Sequence, residues 1–217
     1  MYIYKPSCIY IDNSVLENYH ISEAFKIINN YKDCNIFSIL SSNEYKLIRK
    51  KIINTVLATD MTLHFKEYHC LKLKRQFYNI KEGKNSDMII SSLKDNNEKE
   101  QTKQEIINNL MHLADISNPA KPLNVYKIWA ELVMNEFWLQ GDIEKSLDLS
   151  YSMLCDRQTN TIPASQVGFM QGIVLPLTEI VVDIFPGLNY MICNINNNLE
   201  YYKSLKSVED KKKESQK

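Results

Sequence analysis

The sequence predicts an all-α fold, and two observations support this prediction. Glycine is scarce, with five among 217 residues, and apolar residues recur mostly at intervals of three or four. Hydrophobic residues make up 44% of the chain, which is enough to form a sizeable core. The length suits one large domain or a piece of a larger one.

The N-terminal half predicts two helices and a loop. The first helix is expected over residues 14–30. Ser41 and Glu44 have the spacing of a capping box, which opens a long helix toward Phe77. Residues 78–103 are rich in Lys, Asn, Ser, Asp and Glu, so we expect a mobile loop there.

Proline and glycine mark the helices of the C-terminal half. The residue before a proline avoids helical angles, so the helix that resumes near Gln104 should stop at Asn118-Pro119. The remaining predicted segments are a helix over 122–141, a short helix and an irregular loop over 142–160, helices over 163–177 and 188–205, and a frayed charged tail over 206–217.

The charge balance and the cysteines narrow the possible classes of protein. Twenty-six basic side chains balance twenty-six acidic ones, so neither nucleic acid nor an anionic membrane is expected as a partner. Five scattered cysteines form no C-x-x-C pair, which favours reduced thiols in the cytoplasm over a zinc knuckle. The most apolar stretch, residues 167–185, is interrupted by polar residues and predicts a buried helix instead of a membrane segment.

Asp115 is a candidate metal ligand at the end of an apolar helix. His112 lies three residues earlier and is expected on the same helix face. A carboxylate there could bind a divalent cation with the histidine in support; a structural ion pair or a capped helix end is the other interpretation. The four histidines show no H-x-x-x-H or H-E-x-x-H spacing, so the chain by itself predicts no histidine-rich metal site.

Gln166 and Phe169 are candidates for binding a purine. Gln166 lies on a predicted helix face with Phe169, Met170 and Ile173, so its amide should be partly buried and in need of partners. The amide offers both a donor and an acceptor to a base edge, and Phe169, one turn on, is placed to stack on the same ring. A core glutamine bonded to backbone is the other interpretation.

An apolar stripe on the helix after Pro122 could form one wall of a ligand slot. Such stripes more often belong simply to a core, so both interpretations stay open. The members of the stripe are Tyr126, Trp129, Val133, Met134 and Phe137.

Four polar residues near or on apolar helices are further candidates. Asn118, just past a helix end, could donate to a ligand, although capping is the ordinary explanation. Glu17, Thr59 and Asp60 lie on core-like helices. Such groups commonly orient metal-bound water or ligating histidines, and ordinary buried hydrogen bonding is the competing interpretation.

Five segments that contain these candidates follow one another along the chain. They are Ser14-Val15-Leu16-Glu17-Asn18-Tyr19-His20, Val56-Leu57-Ala58-Thr59-Asp60-Met61, Ala114-Asp115-Ile116-Ser117-Asn118-Pro119-Ala120-Lys121-Pro122, Glu136-Phe137-Trp138-Leu139-Gln140-Gly141-Asp142 and Ser165-Gln166-Val167-Gly168-Phe169. In this order they resemble the catalytic domain of class I 3′,5′-cyclic-nucleotide phosphodiesterases. The resemblance runs from about residue 13 to about residue 202, and the shared order of five motifs argues against chance similarity.

The resemblance implies a compact all-helical domain, here over residues 1–205, around a pocket with Zn²⁺ and a second divalent cation, Mg²⁺ or Mn²⁺. It implies hydrolysis of cAMP, cGMP or both to 5′-nucleoside monophosphates by a metal-bridged hydroxide, with a histidine as the acid. By residue, it implies metal binding by Asp115, roles around the metals and their waters for Glu17, Thr59 and Asp60, and nucleotide contacts from Gln166, Phe169, Asn118, Tyr126, Trp129, Val133, Met134 and Phe137.

The chain departs from the family pattern at its N-terminus. In the family, the acid histidine and the histidine metal ligands precede the segment that starts here at Val15, and residues 1–13 contain no histidine. The resemblance therefore assigns no catalytic residue within the chain and implies that the acid histidine lies upstream of Met1. Tyr19 also stands where the family usually has a histidine. We expect a domain that is incomplete at the N-terminus, inactive by itself and active within a complete parent, which missing upstream sequence could anchor to a membrane.

A second hypothesis is that the chain retains the pocket but catalyses no hydrolysis. The chain could be a non-catalytic helical interaction module or a pseudoenzyme that lacks the histidine cluster. The expected partner of the enzyme is its cyclic-nucleotide substrate, and a homodimer is left open as the assembly. The preference between cAMP and cGMP also stays open, because a glutamine amide can rotate to match either purine.

Overall fold

The computed structural model describes residues 12–77, 90–91 and 93–215, and within this part it contains helices and turns but no β-strand. The predicted all-α fold is confirmed. The main helices are α1 (Val15–Asn30), α2 (Ser42–Leu57), α3 (His64–Phe77), α4 (Asn96–Asp115), α5 (Leu123–Ser146), α6 (Ile162–Phe169), α7 (Leu175–Ile184) and α8 (Asn189–Glu214). A π-helical turn, Met170–Val174, joins α6 to α7.

The chain divides into two compact units, with a boundary between Ala114 and Asp115. In the first unit α1 packs on α2, and the Arg49 guanidinium lies 4.0 Å from the centre of the buried Phe25 ring. Gln104 Nε2 on α4 donates to Thr55 Oγ1 on α2 at 2.9 Å. Polar contacts as well as apolar packing therefore hold the helices of the first unit together.

The second unit is organised around α8, which packs on α5, α6, α7 and the short 3₁₀ turn Asn118–Ala120. Its core includes Leu177 and Ile195, both fully buried. Asn198 Nδ2 on α8 donates to the carbonyls of Pro119 and Lys121, at 2.8 Å each. These bonds fix the turn that follows Asp115.

The capping box is present, but the long helix predicted after it is broken. Ser41 N donates to Glu44 Oε2 at 2.9 Å, and Glu44 N donates to Ser41 Oγ at 3.4 Å. The helix ends at Leu57 because Thr59 Oγ1 bonds the carbonyl of Val56, and Asp60 Oδ1 then accepts from Thr62 N to start a new turn. Local side-chain bonds thus compete with the helix.

The predicted loop was too long at its C-terminal end. α4 begins at Asn96, eight residues before Gln104, and Asp95 Oδ2 accepts from Glu98 N at 3.0 Å in the first turn. Residues 96–103 are therefore helical because a local cap outweighs their polar composition. Of the rest of the predicted loop, residues 78–89 and 92 lie outside the described residues, residues 90–91 are helical and residues 93–95 are irregular.

Two helices extend further than predicted. α5 passes through Gly141 and ends at Ser146. α8 continues to Glu214, so the described part of the predicted frayed tail is helical. Thr161 Oγ1 donates to Glu209 Oε2 at 2.8 Å, a tertiary contact that the charged composition of the tail did not indicate.

One described stretch, Ile162–Ile184, is long and apolar enough to cross a membrane by length and composition alone. Within the second unit Met170, Val174 and Leu177 of this stretch are fully buried. That burial agrees with its prediction as a core segment.

Candidate functional site

The second unit contains a cavity of about 180 Å³. Every site residue that the sequence predicts in this unit lines it. These nine residues are Asp115, Asn118, Tyr126, Trp129, Val133, Met134, Phe137, Gln166 and Phe169. The structure therefore brings together side chains that are up to 54 positions apart in the sequence, between Asp115 and Phe169.

Helix α5 supplies one wall of the cavity. Its lining residues recur every three or four positions, so they share one face of the helix. Tyr126 and Met134 are fully buried at the base of this face, whereas Trp129 remains 46% exposed. The wall thus runs from the core of the unit to solvent.

Tyr126 and Gln166 both line the cavity, and their side chains form a buried hydrogen bond with each other. The Tyr126 hydroxyl donates to Gln166 Oε1 at 2.5 Å. Burial, and secondarily Tyr202, raises the pKa of Tyr126 far above its ordinary value, so the hydroxyl stays protonated and able to donate. Gln166 is 5% exposed, and its Nε2 group donates to no described residue, which leaves it free for a ligand acceptor.

Helix α6 places Gln166 and Phe169 on the same face. Thr161 Oγ1 accepts from Ala164 N at 3.4 Å at its start, and Pro163 occupies the first turn, where a missing N–H costs nothing. The π-helical turn begins directly after Phe169. Such turns add a residue to a helix and recur at functional sites.

The structure adds lining residues that the sequence did not single out. The Ser165 hydroxyl oxygen is buried and has no hydrogen-bond partner among the described residues. Leu154 enters the cavity wall from the loop after α5 with a φ of 67°, an uncommon angle for a branched residue. A hydroxyl beside Gln166 could have suggested Ser165, whereas no local pattern marks Leu154. The other additions are Ile116, Pro119 and Ala130.

Asp115 ends α4 and is exposed at the cavity. His112, its predicted support, is bound instead within the first unit, where its Nε2 lies 2.9 Å from His64 Nδ1. Both rings are buried. Burial, and secondarily His112, lowers the pKa of His64 from its ordinary 6.5.

Glu17, Thr59 and Asp60 belong to the first unit and are half-buried. Burial alone would raise the pKa of Asp60, but hydrogen bonds from Thr62 and Ser14 outweigh it and lower that pKa. Thr59 caps the end of α2 through its hydroxyl. Glu17 makes no hydrogen bond to a described residue.

The described residues do not form the two-metal site that the family resemblance implies. Within the described ranges, no three His, Cys, Asp or Glu side chains come together in a group that could hold a metal ion. Asp115 offers a single carboxylate, and the nearby histidine of its own helix is engaged by His64. No reaction step through a metal follows from these residues.

The acid histidine expected upstream of Met1 is not tested by the structure. Met1 itself lies outside the described residues, which begin at Asp12. A histidine ahead of Met1 therefore stays a prediction. Within the described ranges the cavity is lined by no histidine, so none of the lining side chains takes the role of that acid.

Comparison with protein families gives a match over residues 5–195 to the model described as 3′5′-cyclic nucleotide phosphodiesterase. A 3′,5′-cyclic-AMP phosphodiesterase of Drosophila melanogaster, isoform F, is 37% identical over 198 residues, which are 91% of this chain and 28% of that protein. 3′,5′-Cyclic-AMP phosphodiesterase 4C of Rattus norvegicus is 36% identical, over 90% of this chain and 35% of that protein. The chain therefore spans about a third or less of these relatives.

A solved structure agrees with these matches. The phosphodiesterase domain of the rhodopsin phosphodiesterase from Salpingoeca rosetta superposes with a TM-score of 0.84 at 26% identity. The superposition covers 98% of this chain and 61% of that domain structure. Both the fold and the sequence of the chain are thus similar to one group of proteins.

Proposed function

The chain belongs to the 3′,5′-cyclic-nucleotide phosphodiesterase family, and we propose that it forms the nucleotide-binding part of a catalytic domain that hydrolyses 3′,5′-cyclic nucleotides to 5′-nucleoside monophosphates. The observation that carries this proposal is the Tyr126–Gln166 bond at the cavity. It fixes one end of a buried amide and leaves the other end available to a base. We further propose a cytoplasmic location, which the four free cysteines among the described residues support.

Gln166 is proposed to read the purine edge. With Oε1 engaged by Tyr126, the Nε2 group can donate to a ring nitrogen or carbonyl oxygen of the base. Phe169, one turn along α6, would stack on the ring, and Val133, Met134 and Phe137 would form the apolar wall. Asn118 and Trp129 would contact the ligand nearer to solvent. We propose cAMP as the preferred substrate, because the curated relatives are named for it; cGMP is the alternative.

Asp115 is proposed as one ligand of the divalent cations, Zn²⁺ with Mg²⁺ or Mn²⁺, that the family resemblance implies. Its carboxylate is exposed at the same cavity as Gln166, and hard divalent cations prefer carboxylate oxygens. The other ligands must come from outside the described residues, because none of these completes a ligand set. Glu17, Thr59 and Asp60 keep their predicted roles around the metals as part of this proposal.

Binding of 5′-AMP to the purified 217-residue chain, measured by calorimetry, tests the nucleotide pocket without requiring turnover. Gln166→Ala should weaken binding at least tenfold, because it removes the proposed contact with the ligand. It should also lower the stability of the fold, because the buried Tyr126 hydroxyl loses its acceptor. Gln171→Ala is the matched control, since Gln171 is exposed in the following turn. Equal affinity of the two variants would exclude Gln166 as the base reader.

Hydrolysis requires a second experiment. The chain alone, supplied with Zn²⁺ and Mg²⁺, should not turn over cAMP. A chimera in which residues 5–195 replace the matching segment of the fly relative should hydrolyse cAMP in preference to cGMP. Asp115→Ala in the chimera should nearly abolish turnover of cAMP. The same variant of the chimera should keep its affinity for 5′-AMP. Metal-dependent turnover by the chain alone would disprove its predicted inactivity.

The second candidate function is a non-catalytic module that binds a nucleotide. The lack of a metal-binding group among the described residues favours it. The two experiments separate the candidates, because a module would bind 5′-AMP through Gln166 and yet give a chimera without turnover. A protein that fails both experiments would have neither function.

A further inference from the structure

The loop over residues 147–160, between α5 and α6, carries Leu154 into the wall of the cavity. Leu154 lies in a tight turn that is closed by a hydrogen bond of 3.1 Å from the Cys155 amide to the Ser152 carbonyl. Leu154 is the third residue of this turn and has a φ of 67°. A turn with positive φ at its third residue normally holds glycine or asparagine there. The backbone of Leu154 is therefore in a strained conformation.

Glu144, in the last turn of α5, binds the first residue of this strained turn. Glu144 Oε2 accepts from the Ser152 amide at 2.8 Å, and Glu144 Oε1 accepts from the Ser152 hydroxyl at 2.6 Å. Gln140 Nε2, four residues earlier on the same helix, donates to Glu144 Oε1 at 2.8 Å. The carboxylate is thus fixed on its own helix and binds both donors of Ser152. Strained conformations persist when surrounding groups hold them in this way.

The same hydrogen bonds favour the ionised form of Glu144. The bond from the Ser152 hydroxyl lowers the pKa of Glu144 most, followed by the bonds from Gln140 and from the Ser152 amide, and together they outweigh the effect of burial. Hydrogen bonds to an ionised acceptor are shorter and stronger than those between neutral groups. At neutral pH the carboxylate is therefore well suited to hold Ser152 in place.

Two other contacts between α5 and the loop lie at or after the end of the turn. Asp142 Oδ1 accepts from Arg157 Nε at 3.0 Å, but the two side chains are 53% and 46% exposed, and such exposed ion pairs contribute little to stability. Gly141 lies so close to the Cys155 carbonyl that a Cβ would overlap it. These contacts limit where the loop can run, whereas Glu144 fixes the start of the turn itself.

We propose that Glu144 is a positioning residue of the nucleotide cavity: it holds the strained turn through Ser152 and thereby keeps Leu154 in the cavity wall. Glu144 is not among the residues that line the cavity, so it affects a ligand through Leu154. The inference rests on the proposed nucleotide binding and adds to it a residue outside the cavity. Without the bonds from Ser152 to Glu144, the strain at Leu154 favours relaxation of the turn, and its side chain leaves the wall.

Hydrogen exchange of the ligand-free 217-residue chain, followed by NMR, tests whether Glu144 holds the turn. In Glu144→Ala the Cys155 amide, which closes the turn, should exchange about tenfold faster than in the parent. Glu144→Gln should give an intermediate rate, because its amide oxygen can still accept a hydrogen bond from Ser152. Glu136→Ala is the matched control, since Glu136 is exposed on the same helix and makes no hydrogen bond to a described residue. Circular dichroism checks that each variant keeps its helices.

A double-mutant cycle tests whether Glu144 acts on the nucleotide through Leu154. Calorimetry gives the affinity for 5′-AMP of Glu144→Ala, of Leu154→Ala and of the variant with both changes. Each single change should weaken binding by about threefold to tenfold, and the double variant should bind as Leu154→Ala does, within about twofold. The reason is that Glu144 has no side chain left to position once Leu154 is truncated. Independent effects would instead multiply in the double variant.

The outcomes separate this inference from the proposed function. An unchanged exchange rate of the Cys155 amide in Glu144→Ala, an unchanged affinity of that variant for 5′-AMP, or effects that multiply in the double variant would each overturn the inference while nucleotide binding stands. A parent chain that does not bind 5′-AMP would overturn the proposed function and the role of Glu144 in binding. The exchange rates would then still decide whether Glu144 holds the turn.

Discussion

Each unit of this protein contains a buried polar contact that joins two helices far apart in the chain. In the first unit His64 on α3 meets His112 on α4 at 2.9 Å, 48 positions away. In the second unit Tyr126 on α5 meets Gln166 on α6 at 2.5 Å, 40 positions away. All four side chains are buried, so burial and bonding do not separate the two contacts.

The difference between the contacts lies in what surrounds them. Tyr126 and Gln166 line a cavity, and the Gln166 Nε2 group keeps a donor that no described residue uses. The two histidine rings direct their facing nitrogens at each other. The Tyr126–Gln166 contact is therefore the better candidate for a binding role, because it borders an open volume and keeps a donor for a ligand.

The largest predicted effect concerns the wall of the cavity and comes from Gly141→Ala. A Cβ at Gly141 would overlap the carbonyl of Cys155, and Leu154, the neighbour of Cys155, lines the cavity. The loop must move, so we expect a loss of about 2–3 kcal/mol in the free energy of unfolding. Binding of 5′-AMP should weaken as well, since the wall is displaced. Urea unfolding and calorimetry measure the two effects.

Gly168→Ala is the matched control for this change. A Cβ at Gly168 meets nothing within 4 Å, and alanine favours a helix over glycine by about 0.5–1 kcal/mol. This variant should therefore be as stable as the parent or slightly more stable. If both glycine variants lost stability equally, the close approach of Cys155 would not be the cause.

The histidine contact should make the first unit sensitive to mild acid. The pKa of His64 is lowered in the folded state from 6.5, so the unfolded chain takes up the proton first as the pH falls. The stabilisation is complete above about pH 6.5 and decreases as the pH falls below it, by at most about 1.4 kcal/mol per pH unit. Urea unfolding at about pH 7.5, 6.5 and 5.5 would follow this loss.

Two variants identify the group responsible for that pH dependence. His64→Gln should flatten the change in unfolding free energy between the three pH values, even if it lowers stability throughout. His69→Gln should keep the slope of the parent, because His69 is exposed. A steep slope that survives in His64→Gln would assign the titration to another residue.

The contrast between the two contacts also shows which features of the structure could be predicted from the sequence. Helical periodicity predicts that the lining residues of α5 share one helix face and that those of α6 share another, because each group repeats every three or four positions. Their common place in one pocket was implied by the family resemblance and not by the periodicity. The His64–His112 contact was missed since it joins two helices, and nothing local to either residue indicates the other. Leu154 was missed for the same reason, as its place depends on the close approach of Gly141 and Cys155.

Helix boundaries and the exposed faces of helices were harder to predict from the sequence than the residues that line the cavity. Composition predicted a loop over residues 96–103, but Asp95 caps a helix there. On α5, apolar residues occupy two faces, and the pattern alone could not say that Ile128 and Leu132 stay exposed while Met134 is buried. Which face is covered depends on α6 and α8 packing against the helix.

Tyr126→Phe tests whether the contact in the second unit affects nucleotide binding. The variant removes the donor to Gln166 Oε1, which should cost about 1 kcal/mol of stability. It also frees the amide to rotate, so the ratio of affinities for 5′-AMP and 5′-GMP should move toward one. Tyr201→Phe is the control, since Tyr201 lies under Lys127 and outside the cavity lining. An unchanged ratio would mean that Tyr126 does not orient the amide.

The smallest effect is expected from Ser165→Ala, and its sign is informative. The Ser165 hydroxyl is buried at the cavity without a partner among the described residues. Removing an unpaired buried hydroxyl should leave the free energy of unfolding unchanged or raise it by up to about 1 kcal/mol. If a nucleotide supplies the missing partner, the same change should weaken 5′-AMP binding by about threefold to tenfold. Ser204→Ala, an exposed hydroxyl bonded to the Tyr201 carbonyl, should not alter binding. A clear loss of stability in Ser165→Ala would show that the hydroxyl already has a hydrogen-bond partner in the free protein. Ser165 would then have a structural role, like the His64–His112 contact, and no role in binding a nucleotide.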